Sequence, residues 1–454
     1  MGADVPLALE QVSDAGAARG SFVRGVSLFG AIALVAGNML GTSLYTLPAS
    51  LASSVGPIGL LSWVITAAGF LLLALLYASL GTRFPRTGGP YVFAREAFGE
   101  FAGFSTVWMY WLSAVFGNAA IVTGAIGYAV TFSPALKADT TLQFILAEGI
   151  LWALCFLNVL GIRIGAAIQT TILIVNLVPL TMLGFALTHF DAANLHPFAP
   201  HGVGALATGS ALLVWAYSGI ESATVPAEEV EAPDKTIRNG TLIGYGFATL
   251  IFLISATAVV GVLPNDQIAS SARPVEMAVT TVLGARAGWW VSIAAVIASV
   301  GVLNGWTLMV GRIPYSASED GIFFRQLGKL HPRFGTPYVS LIIGTLIAST
   351  LLTMYFAPGA SLLSAFTFLV LLANLGTLFP YLFNAAAALM LARRDPDAWP
   401  APVRRRMQIM AFVCFVFLVW STYGVGQEVV FWGFLVSIAG IPLYIWFKTS
   451  QRRA

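Results

Sequence analysis

The longest stretches of this chain carry no ionisable side chain, and that decides the solvent in which it folds. From Gly25 to Thr82 there is no Asp, Glu, Lys or Arg. A hydrocarbon core about 30 Å thick takes about 20 apolar residues of helix. This run therefore holds two spans, parted near Ser53-Ser54-Val55-Gly56-Pro57. Of the 454 residues 58% are hydrophobic and 9% charged, against roughly 25% charged in ordinary soluble domains. The reading is an all-α integral membrane protein that crosses the bilayer many times.

The same count places the other spans. Helix 3 falls within 101–131, helix 4 at 142–162, helix 5 at 164–188, helix 6 at 205–227 and helix 7 at 239–263. Residues 265–286 read as an exposed amphipathic stretch, and helix 8 follows at 287–311. Residues 334–392 hold two more helices, parted near Ala357-Pro358-Gly359. Helices 11 and 12 are expected at 407–427 and 429–447, which makes twelve. Residues 1–24 carry Asp4, Glu10 and Asp14 without an apolar core, so they read as a cytoplasmic tail rather than a cleaved signal. Residues 448–454 form a second short cytoplasmic tail.

Charge supplies the orientation. With the N-terminus in the cytoplasm, all of the 23 Lys and Arg except Lys137, Arg273 and Arg286 fall on the cytoplasmic side, as the positive-inside rule requires. Both ends are then cytoplasmic. Cys155 and Cys414 lie inside apolar runs and read as buried small hydrophobes. No Cys/His spacing suits a metal, no motif implies a cofactor, and nothing points to nucleic acid.

One span is built oddly. Helix 1 contains Gly37-Asn-Met-Leu-Gly-Thr-Ser43 at the depth where a helix should be most apolar. Glycine weakens a helix, and freed backbone groups in hydrocarbon must find partners. Two readings fit: close helix packing by small residues, or a broken helix whose unwound backbone lines a site near the midplane. Helix 6 contains a second interruption, Ser218-Gly219, in Trp215-Ala-Tyr-Ser-Gly-Ile-Glu-Ser222. Breaks five helices apart point to an inverted repeat with the site between its halves. The halves would be 25–190 (helices 1–5) and 203–392 (helices 6–10), with 407–447 outside the repeat. N–H groups near Gly41, Thr42 and Ser43 suit a carboxylate. Carbonyls near Trp215 to Ser218 suit an ammonium group. Together they would hold an α-amino acid, and a ligand with amines alone would use only the carbonyl end.

Charges inside the apolar runs form a short inventory. Glu148 reads as an acid close enough to the outer interface to reach water. Glu221 beside the second break is a functional candidate; a hydrogen-bonding structural acid is the alternative. Asn304 and Asn374 read as packing residues, and Glu228-Glu229-Val-Glu231 as a solvated loop.

The stretches "GNMLGTSLYTLPASLA", "YWLSAVFGNAA", "WAYSGIESATVPAEEVEAPDKTIRNG", "GWTLMVG…SEDGIF" and "GTLFPYLF" occur in the order found in the amino acid–polyamine–organocation superfamily. From about Val26 to Trp446 the chain resembles its bacterial basic amino acid/polyamine antiporters, of the arginine/agmatine type. The resemblance implies a five-plus-five inverted repeat with broken helices 1 and 6, alternating access in a bacterial inner membrane, and often a homodimer through the last two helices. It implies substrate carboxylate contacts at Met39, Thr42 and Ser43, where the family pattern Gly-Ser-Gly is replaced by Gly41-Thr42-Ser43. It implies side-chain pocket positions at Ser113, Ala114, Asn118 and Ala373, a closing aromatic at Trp215 and an amine contact at Ser218. Trp306 would lay its ring face against the substrate's cation or stem. Tyr110, Thr377 and Tyr381 would act as gate or pocket residues and Glu221 in coupling and pH response. Trp215 and Trp306 as packing aromatics, and Asn118 as an interhelical hydrogen bond, stand beside these roles.

The expected function is exchange of an amino acid, basic in kind, for a related amine or amino acid. The alternative is a carrier of neutral amino acids, by exchange or with a proton, because Ala373, Ala114 and Val115 make a plain pocket. A receptor that binds without moving its ligand would not need two matched breaks. A membrane enzyme would need a nucleophile–base pair, metal cluster or phosphate loop, and the isolated Gly88-Gly89 is only a turn signal.

Overall fold

The computed structural model describes residues 26–161, 165–356, 361–394 and 400–451. The N-terminal tail, the Ala357-Pro358-Gly359 turn and the last three residues of the C-terminal tail lie outside them. Apart from one parallel bridge between Val26 and Val230, the described residues are helix, turn and loop. Helix 1 is two pieces, α1 (Leu28–Met39) and α2 (Thr42–Ser54). α3 (Gly59–Arg83), the short α4 (Pro90–Phe98) and the long α5 (Glu100–Ala129) follow. Then come α6 (Pro134–Ala138), α7 (Thr140–Val159), α8 (Gly165–Ala186) and α9 (Ala205–Tyr217). The chain continues through α10 (Pro233–Val262), α11 (Asn265–Ser270), α12 (Pro274–Leu283) and α13 (Ala285–Glu319). It ends with α14 (Tyr338–Tyr355), α15 (Leu362–Arg394), α16 (Ala401–Gly424) and α17 (Gln427–Gln451).

Among the described residues nine helical segments are long and apolar enough to cross a bilayer, α1 and α2 counting together. α8, α9, α12 and α14 each supply a shorter apolar helix. α5 is the centre of the bundle: its side chains are buried from Ala102 to Ala129 on nearly every face, and it packs most broadly on α13 and α15. A helix apolar all round belongs in the interior. By contrast α17 shows Phe431, Trp432, Phe434, Ile445 and Trp446 at its surface, as a lipid-facing helix should.

Three expectations need correction. Helix 6 does not run to residue 227. α9 ends at Tyr217, and 218–226 is a string of turns. Gly219 sits at φ +109°, a backbone state that ends a right-handed helix. Residues 265–286 are amphipathic, with Asp266, Gln267, Ser270 and Thr281 exposed, but they are not exposed throughout. They form α11 and α12, which bury Ile268, Pro274, Val275, Ala278 and Val279 against α2, α8, α10 and α13. Helix 8 runs past residue 311 to Glu319, because the exposed Arg312 ends an apolar window without ending a helix. Cys155 and Cys414 are free and buried.

Candidate functional site

The first break is a two-residue gap. α1 closes at Met39, Leu40 leaves the helical region, and Gly41 begins α2 without any side-chain cap. The amides of Thr42 and Ser43 are therefore in an uncapped first turn, where four N–H groups lack helical partners. Ser43 turns its hydroxyl back to the Met39 carbonyl at 2.7 Å. The extra side chain thus meets a carbonyl at the end of α1. Only glycine fits at 41: a Cβ there would lie 2.6 Å from Cγ2 of Val302 on α13.

The second break answers it from α9. The Gly219 N–H would close a continued helix onto the Trp215 carbonyl. It donates instead to Oε2 of Glu221 at 3.2 Å, so the Trp215 carbonyl is released from the ladder. Gly219 lies against Asn38, where a Cβ would come within 3.0 Å of the Asn38 Cβ. Asn38 Nδ2 donates to Ser222 Oγ at 2.8 Å. The two breaks are therefore in contact.

Between them is a narrow cavity whose empty space, open solvent included, is about 230 Å³. Of the residues singled out in the sequence, Met39, Thr42, Ser43, Trp215, Ser218 and Trp306 line it. Asn38 and Gly41, from the same interrupted stretch, join them, as do Ile121 and Val302. Those last two were not anticipated. Ile121 is three residues beyond Asn118 and Val302 four before Trp306, so the helical repeat around the named positions carried the only signal.

Other candidates lie behind this wall. Ser113 is pressed against Gly376 of α15 and bonds the Tyr110 carbonyl at 2.7 Å. Ala114 and Ala373 are buried, and Thr377 bonds the Ala373 carbonyl of its own helix at 3.1 Å. Asn118 Nδ2 reaches Thr307 Oγ1 at 3.4 Å across the α5–α13 seam, while its Oδ1 is buried without a partner. Asn304 accepts from Asn158 at 2.9 Å, and Asn374 donates to the Ala211 carbonyl at 2.8 Å; both bridge neighbouring helices.

Tyr110, Glu221 and Tyr381 form one cluster. The Glu221 carboxyl, fully buried, accepts from Tyr110 OH at 2.5 Å and from Tyr381 OH at 2.8 Å. With Gly219 N–H this makes three donors from three segments. Tyr110 meets Trp306 edge-on, ring centroids 6.4 Å apart. A side chain on the cavity wall is thus two contacts from a buried carboxyl. Glu148 sits on the α7–α14 seam, away from the cavity, and accepts from Ser349 Oγ at 2.6 Å.

A membrane helix broken into α1 and α2, with the end of α9 converging on the same gap, is a build found in secondary transporters. Residues 26–446 match the model of the amino acid permease family, and the chain belongs to that family, within the amino acid–polyamine–organocation superfamily. It is 31% identical over 372 residues to a cadaverine/lysine antiporter of Escherichia coli, covering 80% of this chain and 83% of that one. It is 29% identical over 414 residues to the putrescine transporter PotE of Escherichia coli, covering 90% and 92%. The Haemophilus influenzae putrescine transporter PotE is 28% identical over 415 residues, covering 90% and 93%.

Proposed function

We propose that this protein exchanges a basic amino acid for its decarboxylated amine across a bacterial inner membrane by alternating access. The observation that carries the reading is the cavity between the breaks, with amides of Thr42 and Ser43 on one side and the released end of α9 at Trp215 and Ser218 on the other. Such a gap offers an anion site and a cation site on the wall of one cavity, which is the charge pattern of an α-amino acid. The relatives named for lysine, cadaverine and putrescine favour a long cationic side chain. Trp306 offers its ring to that cation.

Around this site we infer twelve spans: the nine long segments together with α8, α9 with its turns, and α14. α12 is then left outside the spans, packed against α2, α8, α10 and α13. In this reading helices 1–5 and 6–10 are inverted repeats, and the positive-inside count puts both ends in the cytoplasm. α16 and α17 are the expected homodimer contact.

A second reading has its own support. Met39, Ile121 and Val302 are apolar, and no carboxylate lines the cavity, which suits a neutral amino acid. Counterflow in proteoliposomes separates the two. Labelled lysine uptake is expected to accelerate when agmatine, ornithine or cadaverine is trapped inside; acceleration by internal alanine alone would select the neutral carrier. A ring over a cation contributes about 0.5–2 kcal/mol, so Trp306→Ala is expected to weaken binding of a cationic ligand about twofold to thirtyfold. Trp306→Phe should lose much less. Equal losses would remove the cation–π contribution.

A further inference from the structure

Asn176 is an uncharged polar side chain in the middle of α8, fully buried and outside the cavity. A buried amide is costly unless its donors and acceptors are met. Its Nδ2 donates to the Leu40 carbonyl at 2.9 Å. Its Oδ1 accepts from Tyr45 OH at 2.6 Å. A carbonyl can only accept, so the nitrogen must face Leu40 and the amide orientation is fixed. Leu40 is the residue just past α1, and Tyr45 is in the opening turn of α2. The Leu40 carbonyl would have met the Leu44 N–H in an unbroken helix, but that N–H turns to the Gly41 carbonyl at 3.2 Å. Asn176 takes the orphaned acceptor. Tyr45 is held in turn, its carbonyl accepting from Tyr128 OH of α5 at 2.7 Å.

One side chain therefore grips both lips of the first break, with Gly41 between them. We propose that Asn176 is a positioning residue for the substrate site. It sets the angle between α1 and α2, and so aims the Thr42 and Ser43 amides, without touching ligand. It thereby governs the carboxylate end of the site and leaves the amine end to the second break. This rests on the amino acid/amine reading given above.

The test uses ligand pairs that differ only by a carboxylate: lysine with cadaverine, and alanine with ethylamine. Binding is measured on the purified full chain by scintillation proximity. A lost buried hydrogen bond of this kind should weaken the amino acid of the pair about tenfold in Asn176→Ala. The matching amine should stay within about twofold. Tyr45→Phe removes one arm and keeps the Asn176–Leu40 bond, so it should show the same split at smaller size; it decides the matter if Asn176→Ala does not purify folded. Equal losses for acid and amine, or an unchanged amino acid affinity, would overturn the proposal alone. A wild type that binds no amino acid would overturn the amino acid/amine reading and this inference with it.

Discussion

Gly41→Ala is expected to cut transport about tenfold to a hundredfold while the protein still purifies as a folded species. The reason is space. At φ −110° an alanine meets no left-handed strain, but its Cβ would lie 2.6 Å from Val302 Cγ2 and 2.8 Å from Val302 Cβ. A Cβ cannot rotate away as the tip of a long side chain can. Overpacking of this kind costs about 1–3 kcal/mol, and here the break must absorb it by pushing α2 off α13. Val302→Ala in the same chain should then recover part of the activity, since it removes the Cγ2 and Cγ1 contacts at 2.6 and 2.9 Å and leaves only the Cβ contact. Initial counterflow rates at matched reconstitution measure this. A single Gly41→Ala chain working at the wild-type rate would mean the approach of α2 to α13 is not needed for transport.

Glu221 carries the second large effect. Glu221→Ala strips the acceptor from Tyr110 OH, Tyr381 OH and Gly219 N–H at once. A buried donor left unmet costs about 1–3 kcal/mol, and these three hold α5, α15 and the turns after α9 together. Transport is expected to fall more than about a hundredfold. Glu221→Gln keeps the shape and one acceptor but cannot exchange a proton. It should retain folding and flatten the pH dependence of transport. An unchanged pH profile in Glu221→Gln would return this acid to a purely structural role.

The helices were legible because hydrocarbon excludes charge, and charge-free windows are read directly along a chain. The interruption at Gly37–Ser43 was legible for the same reason: small polar residues at mid-membrane depth stand out. The break at Ser218-Gly219 was legible in the same way, but not that turns run on from it to residue 226, because Ile220, Ala223 and Val225 let the stretch pass for the rest of a span. Their course depends on a positive φ at Gly219 and on a carboxyl that captures its N–H. α4 was hidden among Arg, Gly and Pro, where composition says only loop. Within the site, residues on the broken stretches could be named from local oddity. Ile121 and Val302 could not, since nothing distinguishes one apolar residue of a buried helix from the next until its neighbours are known. Asn176 belongs with them: an Asn in an apolar run reads as a packing contact, and its grip on Leu40 and Tyr45 depends on residues more than a hundred positions away.

In the proposed function one small gap clamps an α-amino acid by both of its backbone charges. Competition binding tests it most directly, with L-lysine, its carboxamide and its α-N-acetyl derivative set against labelled lysine on the wild-type chain. The clamp predicts that removing either charge weakens binding by about tenfold or more, the carboxamide through the Thr42–Ser43 end and the acetyl derivative through the Trp215–Ser218 end. Derivatives that compete as well as lysine itself would mean that the two breaks are not the substrate's anchors.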